Sequence, residues 1–126
     1  MCIKVPTARL AALRATPDER RHLHELVDQM AQATSLENLI DLDIRFHLAL
    51  AEASRNVVLR DIVVGIQQLM QSSMLEVLQS ERLRALSNEQ HRRLCDALDR
   101  GSADDAEKII RSHLQKDMDF FGGTRS

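Results

Sequence analysis

The chain has 126 residues and a formal net charge of −2, and 44% of its residues are hydrophobic but only 2% are aromatic. This length allows one domain with a modest core, and the charge argues against a basic nucleic-acid-binding surface. Frequent Ala, Leu, Glu, Arg and Gln, together with few Gly and Pro, predict an all-α domain packed with aliphatic side chains.

The cysteines and the first residues indicate the cellular compartment. Cys2 and Cys95 form no CxxC motif or disulfide framework, and we predict that both are reduced thiols. The chain does not begin like a signal peptide, and no apolar run is long enough to cross a bilayer. We therefore predict a cytoplasmic location and no membrane partner.

Helical periodicity predicts about six helices, which cover roughly 7–15, 17–32, 36–54, 57–79, 88–100 and 103–121. Thr16 and Glu19 form a capping-box signature at the start of the second helix. Asn56 breaks the chain between the third and fourth helices, and Ser87 begins another capping-box signature before the fifth. Gly101 ends the fifth helix and leaves a short turn before the sixth.

Asp43 and His47 are the first candidate site residues along the chain. They lie four residues apart in the third helix, so a carboxylate and an imidazole stand one turn apart on one face. The neighbouring positions on that face are apolar, and a charged carboxylate there is costly unless something compensates it. A metal ion with His47 as a second ligand would do so. An ordinary capped or surface pair is the alternative interpretation.

The fourth helix carries polar residues within a broad apolar stripe. Gln67, Gln71, Ser72 and Ser73 are candidates for the wall of a cavity, although they would serve equally well on a surface that faces water. The polar segment 80–86 that follows is predicted to be a connector.

His91 and His113 extend the candidate metal site. The short turn at Gly101 predicts an antiparallel hairpin, with His91 ten residues before it and His113 twelve residues after it. At about 1.5 Å per residue, both imidazoles stand at nearly the same height. Three histidines and one aspartate then fall on inward-facing positions of three helices, a set suited to a metal ion. Buried histidines bonded to backbone carbonyls or carboxylates are the alternative.

A longer pattern joins these positions: Asp43-x-x-Phe46-His47-x-x-Leu50-Ala51-x-Ala53-Ser54-x-Asn56, then His91-x-x-Leu94-x-x-Ala97-Leu98-x-x-Gly101, then His113-Leu114. The pattern resembles the C-terminal effector-binding (FCD) domain of FadR-type regulators in the GntR family of transcription regulators. The resemblance extends from about Arg9 to Leu114. It implies an all-α antiparallel bundle of about six helices that encloses a ligand cavity.

The resemblance also implies a ligand set, an effector and partners. In the metal-binding branch of the family, the ligands carried over to this sequence are Asp43, His47, His91 and His113. Zinc is the first candidate ion, with nickel, manganese or iron as alternatives. A small organic carboxylate would bind at the open coordination positions, and Gln67, Gln71 and Ser72 are the candidate effector-binding residues. The family further implies a homodimer whose effector shifts its affinity for DNA.

We assign 1–121 to one effector-binding and dimerisation domain with a truncated first helix, and 122–126 to a disordered tail.

Two features depart from the family pattern. The family's winged helix-turn-helix domain has no counterpart in this chain, so DNA binding would require a domain outside it. An arginine that often faces the cavity from the fourth helix is not evident at 70–74.

A sensor is the predicted function, and two alternatives belong to other classes. The first is a mononuclear metal-dependent enzyme, which is disfavoured because no general base or nucleophile stands out beside the ligands. The second is a structural bundle in which the ion only joins helices. A closed coordination shell without an adjoining cavity would favour that bundle.

Overall fold

The computed structural model describes residues 3–124, apart from the side chains of residues 117 and 120–124. The helices of this part are, in chain order, α1 (Lys4–Arg14), α2 (Pro17–Gln32), α3 (Leu36–Ala53), α4 (Val57–Leu69), α5 (Gln71–Leu78), α6 (Glu81–Asp99) and α7 (Ala103–Thr124). The all-α prediction is confirmed, with seven helices in the described range instead of about six. Within that range, no helix is long and apolar enough to cross a membrane.

Short polar side chains start several helices, as the sequence predicted. At α2, the Glu19 N–H donates to Thr16 Oγ1 over 3.1 Å, and the Thr16 N–H donates to Glu19 Oε1 over 2.9 Å. At α4, Asn56 Oδ1 accepts a hydrogen bond of 3.1 Å from the Leu59 N–H. Each such cap satisfies a backbone donor that the helix itself cannot pair and stabilises it by about 1 kcal/mol.

The helices pack around one apolar core. α1 contacts α3, α6 and α7, while α2 packs on α3 and α6. α6 and α7 pack against each other across the turn at Gly101, whose φ of 66° favours glycine. The largest fully buried apolar side chains are Leu23, Val27, Phe46, Val63, Leu94, Leu98 and Ile110. Through its contacts with α3, α6 and α7, α1 holds these three helices around the same interior. Cys95 is a free thiol in the same core, and burial raises its pKa to about 12.

The predicted fourth helix, 57–79, is in fact two helices. The chain leaves helical geometry at Met70, where φ is −98° and ψ is 6°. α4 packs mainly on α3, whereas α5 turns to contact both α3 and α6. The apolar stripe continues through the break with Ile66 and Met74, so the hydrophobic pattern alone could not reveal it.

The predicted connector, 80–86, forms the first turns of α6. Ser80 caps this helix by accepting a hydrogen bond of 3.3 Å from the Leu83 N–H. Ser87, predicted to be a cap, lies buried inside the helix. Both serines are suitable caps in the sequence, but burial of Leu83 adds apolar contacts that favour the earlier start.

The ends of the described chain also differ from the predicted boundaries. α1 begins at Lys4, before the predicted segment 7–15, and so brings this lysine into the bundle. α7 includes residues 122–124 of the predicted tail. Residues 125–126 of that tail, and Cys2 with its predicted reduced thiol, lie outside the described residues.

Candidate metal centre

Three imidazoles from three helices meet inside the bundle. His47 on α3, His91 on α6 and His113 on α7 each offer one nitrogen, and these three atoms lie within 4.8 Å of one another. The ring centroids of His91 and His113 are 5.0 Å apart, and those of His47 and His91 are 5.5 Å apart. The hairpin of α6 and α7 therefore brings its two histidines to one level, as their spacing around Gly101 predicted.

Asp43 completes the cluster from α3. Its Oδ1 atom lies 3.5 Å from His91 Nε2 and 3.7 Å from His47 Nε2. Ligand atoms bound 2.0–2.2 Å from a tetrahedral ion lie roughly 3.3–3.6 Å from each other. These two Asp43 spacings match this within a few tenths of an ångström, whereas the group of nitrogens within 4.8 Å of one another consists of the three histidines alone. The mixed imidazole and carboxylate donors suit a divalent transition metal. These side chains therefore fit a metal ion.

Burial keeps the imidazoles neutral. Each of the three histidines is at most 6% exposed. Burial lowers the pKa of His91 to about 3, with further lowering by Lys116 and Lys4. Burial is also the main reason that the pKa values of His47 and His113 lie well below their ordinary value. A neutral imidazole has the free lone pair that metal coordination needs, so the cluster is in its metal-binding protonation state at neutral pH.

His91 is not satisfied by the protein. Among the described residues, neither of its ring nitrogens has a hydrogen-bond partner. A buried polar atom without a partner typically costs about 1–3 kcal/mol and is uncommon in folded proteins. The Phe46 ring packs on the His91 ring with centroids 4.6 Å apart, so an apolar contact orients the imidazole. His91 therefore lacks the hydrogen bond that an ordinary buried histidine would make, although its Nε2 lies 3.5 Å from Asp43 Oδ1.

Gln90 is a site residue that the sequence reasoning missed. Its Oε1 atom lies 2.8 Å from His113 Nδ1. Because an amide oxygen only accepts, this bond places the proton on Nδ1 and leaves the Nε2 lone pair available to a metal ion. The available signal was weak: a polar residue directly before His91, in a helix predicted to pair with the helix of His113.

A cavity of about 40 Å³ adjoins the imidazoles. Besides Asp43, His47 and His113, its polar lining consists of Lys4, Gln67, Ser73, Ser87 and Lys116. Since one water needs roughly 10–15 Å³ by this measure, the cavity has room for a few atoms next to the cluster.

Only one of the three predicted effector-binding residues faces this cavity. Gln67 lines it and is 2% exposed, and its Oε1 atom has no hydrogen-bond partner among the described residues. Gln71 and Ser72 are exposed and do not line the cavity. Both residues begin α5, directly after the break at Met70. In an unbroken helix their side chains would point in other directions. Ser73, the other candidate for the cavity wall, does line the cavity.

Two lysines bring positive charge to the cavity, and the sequence reasoning assigned neither to it. Lys4 comes from α1 and Lys116 from α7. The Lys116 Nζ donates a hydrogen bond to the buried hydroxyl of Ser87. The cavity-facing arginine of the family's fourth helix is not evident in this sequence, and these two lysines supply positive charge to the cavity instead. The only signal in the sequence was the spacing of Lys116, three residues after His113 on the same helix.

The metal-free chain should lose stability as the pH falls from about 6.5 to 5. The folded pKa of His91 is about 3, below its ordinary value of 6.5. In this window the unfolded chain binds protons that the folded chain does not, so the free energy of unfolding decreases toward acid and is fully restored above the ordinary pKa. Each neutral histidine contributes a slope of up to about 1.4 kcal/mol per pH unit.

Urea unfolding of the metal-free chain at several pH values measures this slope. The His91→Ala variant should show a shallower slope, because one of the three contributing imidazoles is absent. Identical slopes for the two chains would contradict the expectation.

Comparison with known proteins identifies the family. The sequence model of the FCD domain matches residues 3–116. Two curated relatives, from Escherichia coli strain K12 and Shigella flexneri, are each 35% identical over 116 residues and carry the name "Putative L-lactate dehydrogenase operon regulatory protein". Each match covers 89% of this chain but 45% of the relative. The chain thus spans about half the length of the curated relatives it matches.

Solved structures share the fold. E. coli McbR/YncC superposes with a TM-score of 0.84 at 18% identity, covering 98% of this chain and 61% of that chain. Streptococcus agalactiae GntR superposes with a TM-score of 0.75 at 24% identity, covering 88% of this chain and 50% of that chain. At these identities the likeness concerns the fold alone. The family match over residues 3–116 shows that the chain belongs to the FCD domain family, the effector-sensing domain of GntR-family transcription regulators.

Proposed function

We propose that this FCD domain senses small carboxylic acids through a bound divalent metal ion. The observation that carries the proposal is the convergence of three buried imidazoles within 4.8 Å, one of which, His91, has no hydrogen-bond partner among the described residues. The cavity beside them supports a sensor over a bundle in which the ion only joins helices, since a purely structural ion needs no adjoining space.

The proposed ligands of the ion are Asp43, His47, His91 and His113. Gln90 holds the proton of His113 on the nitrogen that faces away from the ion, and Phe46 orients the His91 ring. When bound, the ion would take a carboxylate oxygen by expanding its coordination beyond these four protein ligands. Zinc is the first candidate, and nickel, manganese and iron accept the same donors.

The chemistry of the cavity favours a 2-hydroxy acid as effector. Lys4 and Lys116 offer charge-assisted hydrogen bonds to a carboxylate. Gln67 Oε1, buried and unpaired within the described part of the chain, would accept a hydrogen bond from a hydroxyl group. L-lactate has both groups, and the curated relatives are named for an L-lactate dehydrogenase operon.

The response of a longer regulator would follow from this binding. An effector that binds one conformation of the domain more tightly shifts the population toward it, and a linked DNA-binding domain would change its affinity accordingly. That domain would be a winged helix-turn-helix outside this chain. A homodimer, a cytoplasmic location and the absence of enzymatic turnover belong to the same proposal.

The acid-binding part of the proposal is tested with Lys116→Met. Calorimetric titration of L-lactate and related hydroxy acids into the zinc-loaded chain should give about 10- to 100-fold weaker binding in this variant, because a charge-assisted hydrogen bond is lost. Its metal content should not change.

Lys108→Met is the matched control, because Lys108 is exposed on the same helix. It should bind acids like the unmodified chain. Equal acid affinities in the two variants would remove Lys116 from effector recognition. Turnover of a bound acid by the metal-loaded chain would favour the alternative function, a mononuclear metal-dependent enzyme.

A further inference from the structure

The side-chain amide of Gln67 is paired at one end and unpaired at the other. Its Nε2 atom donates a hydrogen bond to Met74 Sδ over 3.8 Å. Its Oε1 atom has no hydrogen-bond partner among the described residues, although the residue is only 2% exposed. A buried acceptor without a donor is uncommon in folded proteins, because nothing compensates its desolvation. The cavity that Gln67 lines is the place where a ligand could supply this donor.

Met74 determines which way the Gln67 amide is turned. Both residues line the cavity, Gln67 from α4 and Met74 from α5. A thioether sulfur accepts hydrogen bonds weakly and cannot donate them, so the amide NH₂ group is the end that faces it. The reverse orientation would place Oε1 against the sulfur lone pairs and lose this bond. The contact with Met74 therefore leaves the acceptor of Gln67, and not its donor, free for a ligand.

A free acceptor distinguishes two acids that are otherwise alike. A 2-hydroxy acid carries an O–H group beside its carboxylate and can donate to Gln67 Oε1. The corresponding 2-oxo acid carries a carbonyl oxygen at the same position, and that oxygen only accepts. The two acids have nearly the same size and the same charge, so neither the volume of the cavity nor the charges of Lys4 and Lys116 separate them. The orientation of the Gln67 amide does.

We propose that Gln67 and Met74 make the cavity selective for 2-hydroxy acids over 2-oxo acids. Gln67 contacts the acid, and Met74 is the positioning residue that holds the amide. A 2-oxo acid binds only if Oε1 stays unpaired or if the amide turns over and gives up its bond to Met74. Either route weakens binding by about 10-fold, the equivalent of one neutral hydrogen bond. The domain would therefore respond to the reduced member of such a pair of acids.

This inference rests on the proposed function, because it requires that acids bind beside the metal cluster. It adds a discrimination that binding of L-lactate does not by itself entail. L-lactate and pyruvate are the simplest matched pair of acids for measuring it, since they differ only at the second carbon.

Calorimetric titration of both acids into the zinc-loaded full chain tests the selectivity. The unmodified chain should bind L-lactate about 10-fold more tightly than pyruvate. Met74→Leu keeps an apolar side chain of similar size but removes the acceptor, so the amide is free to turn its NH₂ group toward an oxo group. Pyruvate should then bind about 10-fold more tightly than it binds the unmodified chain, while the affinity for L-lactate stays within about 2-fold. General damage to the cavity would weaken both acids.

Gln67→Leu removes the contacting amide and should abolish the preference by the opposite route. L-lactate should bind about 10-fold more weakly, whereas the affinity for pyruvate should change little. Met70→Leu is the matched control, because Met70 lines the same cavity and undergoes the same change, but the Gln67 amide donates to Met74. This variant should keep the preference for L-lactate, and all three variants should keep their metal content.

The outcomes separate this inference from the proposed function. If the unmodified chain binds L-lactate no more tightly than pyruvate, the selectivity is wrong and acid sensing stands. An unchanged affinity for pyruvate in Met74→Leu, or an equal gain in Met70→Leu, would overturn the role of Met74. A zinc-loaded chain that binds neither acid would overturn the proposed sensing of L-lactate and this inference together.

Discussion

His91→Ala should abolish stoichiometric metal binding and raise the dissociation constant for Zn²⁺ by more than about 100-fold. His91 lies between the other ligands, with Nε2 3.5 Å from Asp43 Oδ1 and its ring centroid 5.0 Å from that of His113. Loss of a group that only supports a ligand typically costs 10- to 100-fold in affinity, and loss of the ligand itself costs more. Elemental analysis after dialysis and competition with a chelating dye measure content and affinity.

His24→Ala is the control for this experiment. His24 also lies near carboxylates, because it forms an exposed group with Asp96 and Asp99 and contacts Asp99 over 2.7 Å. Its removal should leave the metal content unchanged, and circular dichroism should show both variants helical. Full metal content in His91→Ala would eliminate the proposed centre, whereas loss in His24→Ala would place binding on the surface.

Removal of the ion by a chelator should lower the melting temperature of the unmodified chain by about 10 °C. The ligands come from α3, α6 and α7, so only the folded chain assembles them. An ion present at 100 times its dissociation constant stabilises the folded state by about 2.7 kcal/mol. A domain of this size shifts by roughly 4 °C per kcal/mol. Differential scanning calorimetry with and without chelator measures the change.

The His91→Ala chain separates the ion from other effects of the chelator. Its melting temperature should be the same in both solutions, because it has no stoichiometric ion to lose. Addition of Zn²⁺ in excess of the chelator should restore the melting temperature of the unmodified chain. If that chain melts at one temperature whether or not elemental analysis finds the ion, metal binding and folding are not coupled.

The proximity of the candidate ligands could be predicted because these residues lie within regular helices. Asp43 and His47 are one turn apart on α3, and residue counts from Gly101 place His91 and His113 at one height. These relations depend on the rise and period of a helix and on a short turn, which are properties of local sequence. The structure adds the distances, and it adds that His91 has no hydrogen-bond partner among the described residues.

The cavity wall could not be predicted in the same way. Of the polar candidates after the break at Met70, Gln71 and Ser72 are exposed, and only Ser73 lines the cavity. The hydrophobic period is the same before and after the break. Which residues line the cavity depends on how α4 and α5 each pack on their neighbours. Those contacts involve residues far apart in the chain.

The sequence by itself determined the helical class and the capped starts of α2 and α4, and it selected the four residues of the candidate metal centre. The caps depend on neighbours within one or two helical turns, whereas the four candidate residues were selected by helical spacing, by residue counts around Gly101 and by the resemblance to the FCD domain. Only the tertiary structure decided that Lys4 and Lys116 line the cavity beside that centre and that Gln90 contacts His113. Lys4 and Lys116 lie at opposite ends of the sequence and meet because α1 packs on α7. Such long-range packing leaves no periodic trace in the sequence.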